Sequence, residues 1–178
     1  KIKHSVKSYR RKWLEIAASN ATESLKSKLA SKASIEAQLF ELSEILDNEV
    51  IVQLIECFDV SHIMGDKCVA SCVSFNREGF NKKDYRRFNI SGIKKGDDYA
   101  AMSQALSRHY SRSIKESRTL PDVVLVDGGK GQVKIAINVL KDLGIIGIPV
   151  LGIAKGSRRH SSEDRLFMND NKTPLKLS

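Results

Sequence analysis

Thiol chemistry has little to work with in this chain. Its three cysteines, Cys57, Cys68 and Cys72, are an odd number set in apolar surroundings, and no C-x-x-C pair occurs. Neither a disulfide framework nor a thiolate metal site is therefore indicated, and a reducing, cytoplasmic setting fits best. No run of about eighteen apolar residues is present, which argues against a spanning helix and a membrane partner. No charged-then-apolar segment opens the chain, which argues against a secretory signal. Internal repeats and low-complexity tracts are missing as well. The tract Gly128 to Gln132, GGKGQ, lacks the ending and spacing of a phosphate-cradling Walker loop, so nucleotide hydrolysis is set aside.

What is present bounds the answer further. A chain of 178 residues, 41% of them hydrophobic, can bury one main core with an appended helical segment. Thirty Lys and Arg face 21 Asp and Glu, a formal net charge of +9 that favours a polyanionic partner and also promotes solubility. The opening at Lys1 rather than Met, and the polar end at Ser178, are expected of a piece of a longer protein.

Residues 1–48 read as a helical lead-in or connector. Trp13, Ile16, Ala17, Ala21 and Leu25 make a narrow apolar stripe, and Ser34 is a plausible cap for a second helix from Ile35 to Leu46. The basic start of this region, with no acid among its first twelve residues, suits either phosphate contact or a solvated helical face. From residue 49 the period changes. Val50 to Phe58 and Lys67 to Phe75 read as strands joined by a turn at His62 to Asp66, and Lys82 to Ile90 as an exposed third strand. A helix from Asp97 and Asp98 to about Ser117 follows, then the apolar strand Val123 to Val126, a helix from Gln132 to Leu143, and a strand from Ile148 to Ala154. Three antiparallel strands followed by helix, strand, helix and strand predict an α/β domain with a mixed sheet over 49–178.

In such sheets functional groups gather beyond the carboxyl ends of the strands, where Asp59 and Asp127 fall. Two ionised carboxylates brought together repel unless a divalent cation neutralises them, and hard oxygen donors favour Mg²⁺ or Mn²⁺. Each aspartate taken singly is also a reasonable turn or helix cap. Asp98 can complete the site or simply favour its helix start. His62 can be a ligand, a proton carrier or a turn residue. Between Asn76 and Lys95 seven Lys and Arg, among them Lys82, Lys83, Arg86 and Arg87, interleave with Phe80, Tyr85 and Phe88. That surface suits a nucleic-acid backbone, as it suits a charge-protected edge strand. Lys130, Lys155, Arg158 and Arg159, with His160, are further candidates to face phosphate.

Six ordered motifs now add a resemblance: IECFDVSH from Ile55, VASCV from Val69, DYRRFNI from Asp84, GDDYAAM from Gly96, VDGGKGQ from Val126 and GIAKG from Gly152. Together with RKWLEIAASN from Arg11 they resemble the C-terminal half of the UvrC family, a component of the bacterial excinuclease ABC. The resemblance implies an RNase H-like endonuclease domain that makes the 5′ incision beside a lesion in nucleotide excision repair. It implies damaged double-stranded DNA as substrate, and UvrB as a partner through a segment absent here. It also assigns metal-binding roles to Asp59 and Asp127 and a further catalytic role to Asp98. The family's catalytic histidine belongs past Ser178, and none of His4, His62, His109 or His160 matches it. A domain that folds but binds metal weakly and cuts poorly is therefore expected. The alternative is a non-catalytic RNase H-like module that binds DNA or a partner.

Overall fold

The computed structural model describes residues 9–46, 51–63, 67–154, 165–168 and 175–176. The first element is one helix, α1 (Tyr9–Ile45), rather than two. Neither Gly nor Pro occurs between these bounds, so Ser34 has no break to cap; a cap stabilises only where N–H groups are orphaned. The stripe around Trp13, Ile16 and Leu25 stays exposed, and α1 buries side chains only from Ile35 onward. There Leu39 joins Val52, Ile55, Val123 and Leu151 in a buried cluster, with Ile35 and Leu42 against it. Ser43 fixes the join, donating from Oγ to the Leu39 carbonyl and accepting from Val52 N–H.

The sheet is built from β1 (Leu54–Ile63), β2 (Lys67–Asn76), β3 (Gly79–Phe80), β4 (Arg86–Asn89), β5 (Val123–Asp127), β6 (Val150–Ala154), β7 (Arg165–Met168) and β8 (Leu175–Lys176). Its order is β3-β2-β1-β5-β6-β7-β8, with β4 also on β2. β1 runs antiparallel to β2 and parallel to β5, which runs parallel to β6. The mixed sheet expected from periodicity is therefore present, with β7 and β8 added as an unforeseen antiparallel extension.

The expected third strand is broken. Lys82–Asp84 forms a 3-10 turn in which Asp84 N–H donates to the Asn81 carbonyl, and Arg86 donates to the Lys83 and Tyr85 carbonyls. Two short strands consequently share the outer edge of β2, β3 opposite Phe75 and Asn76 and β4 opposite Val69 to Cys72.

Helices α2 (Asp98–Lys115) and α3 (Lys130–Asp142) pack on one face of the sheet, burying Phe58, Ala70, Cys72, Phe88, Val124 and Val126 against Met102, Leu106, Tyr110, Val133 and Ala136. The packed segment of α1 covers part of the other face. The first ends of β1 and β5 are pinned by Asp122, whose carboxylate accepts from Gln53 and Leu54 N–H. Their far ends are shaped by Gly152: a Cβ there would stand 2.6 Å from the Gly128 carbonyl oxygen and 2.5 Å from a Val133 methyl. The chain leaving Asp127 can cross β6 only because that side chain is missing.

Candidate metal centre and nucleic-acid face

The β1–β5 ladder ends at Phe58↔Val126, and the next residue on each strand is an aspartate. Asp59 and Asp127 are therefore neighbours across adjacent parallel strands. Phe58 and Val126 point into the core beneath α2, so by strand alternation both carboxylates turn to the opposite face. The expected position of Asp59 needs one correction: β1 does not stop at Phe58 but continues to Ile63, paired there with β2 alone. Asp59 lies inside its strand, at the point where the parallel partner falls away. Asp127 does close β5.

The face they share is covered by α1 only at its other end, leaving Cys57, Asp59, Leu125, Asp127 and Ile153 half-buried. Burial, then Asp127, then Asp59 push the Cys57 thiol up to about 11. One thiol feels both carboxylates, which agrees with their placement by register. The donors that the register sets side by side are the two carboxylates, both hard oxygen groups. Such a set fits Mg²⁺ or Mn²⁺ better than a thiophilic ion.

Asp98 is placed differently. Asp97 takes the cap of α2, its carboxylate accepting from Ala100 N–H at 2.9 Å, which leaves Asp98 to bond His62 Nε2 at 2.6 Å. His62 shares its strand face with Phe58, so this half-exposed pair stands on the α2 side of β1, across the strand from Asp59. The structure thus joins Asp59 to Asp127 and Asp98 to His62. Among the described residues no third His, Cys, Asp or Glu closes a tight trio with Asp59 and Asp127.

A second polar group, unforeseen from sequence, lies under the sheet. Glu56, buried on β1, receives His109 Nε2 at 3.0 Å from each carboxylate oxygen and the Tyr110 hydroxyl at 2.9 Å. Phe58 and Phe88 pack edge-on against the His109 ring. Cys72 lies close enough for Glu56, Cys72 and His109 to resemble a metal trio. Glu56 and His109, however, already satisfy one another, with Tyr110 as a further donor, and burial followed by Glu56 holds the Cys72 thiol far above its ordinary range. The arrangement is that of a core hydrogen-bond network. Its signal in the sequence was a glutamate inside the run Leu54 to Phe58, LIECF.

The basic candidates separate by face. Lys82 and Lys83 are exposed on the 3-10 turn. Arg86 is bound to that turn's carbonyls, whereas Arg87 is exposed on the sheet face opposite buried Phe88. Lys130, exposed at the start of α3, lies 6.0 Å from the centre of the Phe167 ring. Lys155, Arg158, Arg159 and His160 lie outside the described residues.

The model of the family described as the UvrC RNase H endonuclease domain matches residues 43–178. UvrABC system protein C of Saccharophagus degradans is 47% identical over 168 residues, covering 94% of this chain and 28% of the relative. UvrABC system protein C of Alkalilimnicola ehrlichii is 47% identical over 170 residues, covering 96% and 28%. The chain thus spans little more than a quarter of the length of these relatives. Human ENDOV is similar in structure at 17% identity with a TM-score of 0.46, over 83% of this chain and 64% of that one.

Proposed function

Since this chain belongs to the UvrC RNase H endonuclease domain family, we propose that it is the divalent-metal-dependent domain that cuts one strand of damaged double-stranded DNA, making the 5′ incision of nucleotide excision repair. The observation that carries this reading is the register that sets Asp59 beside Asp127 on a sheet face left open by α1. Two adjacent carboxylates on one open face are the hard oxygen donors that a divalent ion takes.

Asp59 and Asp127 are the residues that would hold Mg²⁺ or Mn²⁺. Bound there, such an ion supplies an activated water and stabilises charge on a phosphoryl oxygen. The protein's own share is positional. Gly152 lets Gly128 pass close above β6, which fixes Asp127, and the Glu56–His109–Tyr110 network holds β1 against α2 beneath Asp59. Asp98, paired with His62 at the same end of β1, is assigned a supporting role at the rim and not a place between the two carboxylates. Exposed Lys82, Lys83, Arg87 and Lys130 attract the polyanion without reading sequence.

Partnership with UvrB is proposed for the longer protein of which the relatives are examples. A cytoplasmic setting accords with the unpaired cysteines and with the lack, among the described residues, of a helix long and apolar enough to cross a membrane. Cleavage of a lesion-bearing duplex by the full-length protein, with Asp127→Ala alongside, tests the reading. Incision 5′ to the lesion that the substitution abolishes is expected; undiminished incision by the variant would overturn it.

A further inference from the structure

Across the sheet from Asp127, the residues of the open face form one row. Asp59 is the neighbour on β1, Ser71 stands opposite Asp59 on β2, and Arg87 stands opposite Ser71 on β4. Phe88 is buried under α2, so Arg87 and Asn89 turn to the face of the carboxylates. Arg86 turns the other way and spends its guanidinium on the Lys83 and Tyr85 carbonyls. In the other direction from Asp127 the row continues with Ile153 of β6, an apolar residue. The row therefore has a direction: apolar, acid, acid, hydroxyl, guanidinium.

We propose that Arg87 is a phosphate-positioning residue, gripping the backbone phosphate adjacent to the one held at Asp59 and Asp127, so that the cut strand crosses β1 and β2 toward β4. This rests on the endonuclease reading and adds a path and an anchor to it. Neighbouring strands lie about 4.8 Å apart, which puts the Arg87 backbone roughly 10 Å from that of Asp59. An extended arginine leaning along the row brings its fork within a nucleotide's repeat of the carboxylates. Ser71 between them is small enough to leave the passage clear. Arginine suits the position because its planar fork takes two oxygens of one phosphate, which a lysine cannot do. A guanidinium at this end also balances the two carboxylates, which alone would repel the backbone.

Two measurements on the full chain test the proposal. In duplex-DNA binding followed by fluorescence anisotropy across a salt series, Arg87→Ala should weaken binding about tenfold. The slope of log affinity against log salt should fall by about one. Arg87→Lys should keep the slope but lose part of the affinity, and Arg86→Ala should keep the wild-type slope. In the cleavage assay, methylphosphonate linkages placed singly around the cut site remove one phosphate charge at a time. One position next to the cut should be harmful to wild type and without further effect in Arg87→Ala. An unchanged salt slope in Arg87→Ala, or equal methylphosphonate penalties in both proteins at every position, would overturn the assignment. Binding reports on Arg87 whether or not the chain cuts, so loss of the nuclease reading through Asp127→Ala is a separate result.

Discussion

Asp59 and Asp127 each stand one residue beyond the last pair of the β1–β5 ladder, Phe58↔Val126, and so lie side by side on a half-covered sheet face. A divalent ion held there should stabilise the fold. Millimolar Mn²⁺ should raise the urea midpoint of the wild type above its value in EDTA and leave that of Asp59→Asn almost unchanged, because only the wild type gains from binding.

Gly152→Ala should act on the same site through the backbone. Its new methyl would overlap the Gly128 carbonyl and Val133, and the carbonyl belongs to the chain leaving Asp127. A loss of about 1–3 kcal/mol is expected from overpacking, together with weaker Mn²⁺ binding, by denaturation and metal titration. Gly131→Ala offers the contrast. There the clash is with the Tyr99 ring, half-exposed and able to swing away, so the cost should be smaller.

The architecture was largely legible because its causes are local. Alternation and β-branched runs marked β1, β2, β5 and β6. What was not legible depended on partners distant in sequence. Ser34 could not be known as a mid-helix residue, since its cap geometry depends on a break that no Gly or Pro supplies. Arg86 and Arg87 are indistinguishable as a pair of arginines, and only pairing with β2 sends one to the turn carbonyls and the other to the open face. Glu56 likewise acquired its meaning from His109 and Tyr110, more than fifty residues later. In sequence Asp98 is an acid at a helix start, and the histidine it meets on β1 lies 36 residues earlier.

The buried network gives stability a pH dependence. Tyr110 is held well above the ordinary phenol value by burial, then by Glu56, and Cys72 above the ordinary thiol value of 9.0 by the same two causes in that order. Folded-state values above the unfolded ones mean stability that is complete below about pH 9 and lost as pH rises, first through the thiol and then through the phenol. Denaturation between pH 7 and 11 should show this decline, and Tyr110→Phe should flatten its upper part. The same substitution should cost about 1–2 kcal/mol at neutral pH, since Glu56 loses a buried donor.

The two ends of α1 should differ sharply. Residues 11–34 are exposed around the whole helix, whereas Leu39 is 3% exposed. Removing residues 1–31 should leave the denaturation midpoint almost unchanged, and Leu39→Ala should cost about 2–4 kcal/mol. A large loss on truncation would show that the exposed half supports the domain.

The central claim is that the two aspartates hold one divalent ion between them, and Mn²⁺ titration followed by electron paramagnetic resonance measures this directly. Free Mn²⁺ gives a strong six-line signal that binding suppresses. Wild-type chain should suppress it with a stoichiometry of about one, as expected for a single site shared by two carboxylates, while Asp59→Asn and Asp127→Asn, each folded, should leave it standing. Suppression by either variant equal to that of the wild type would contradict the account.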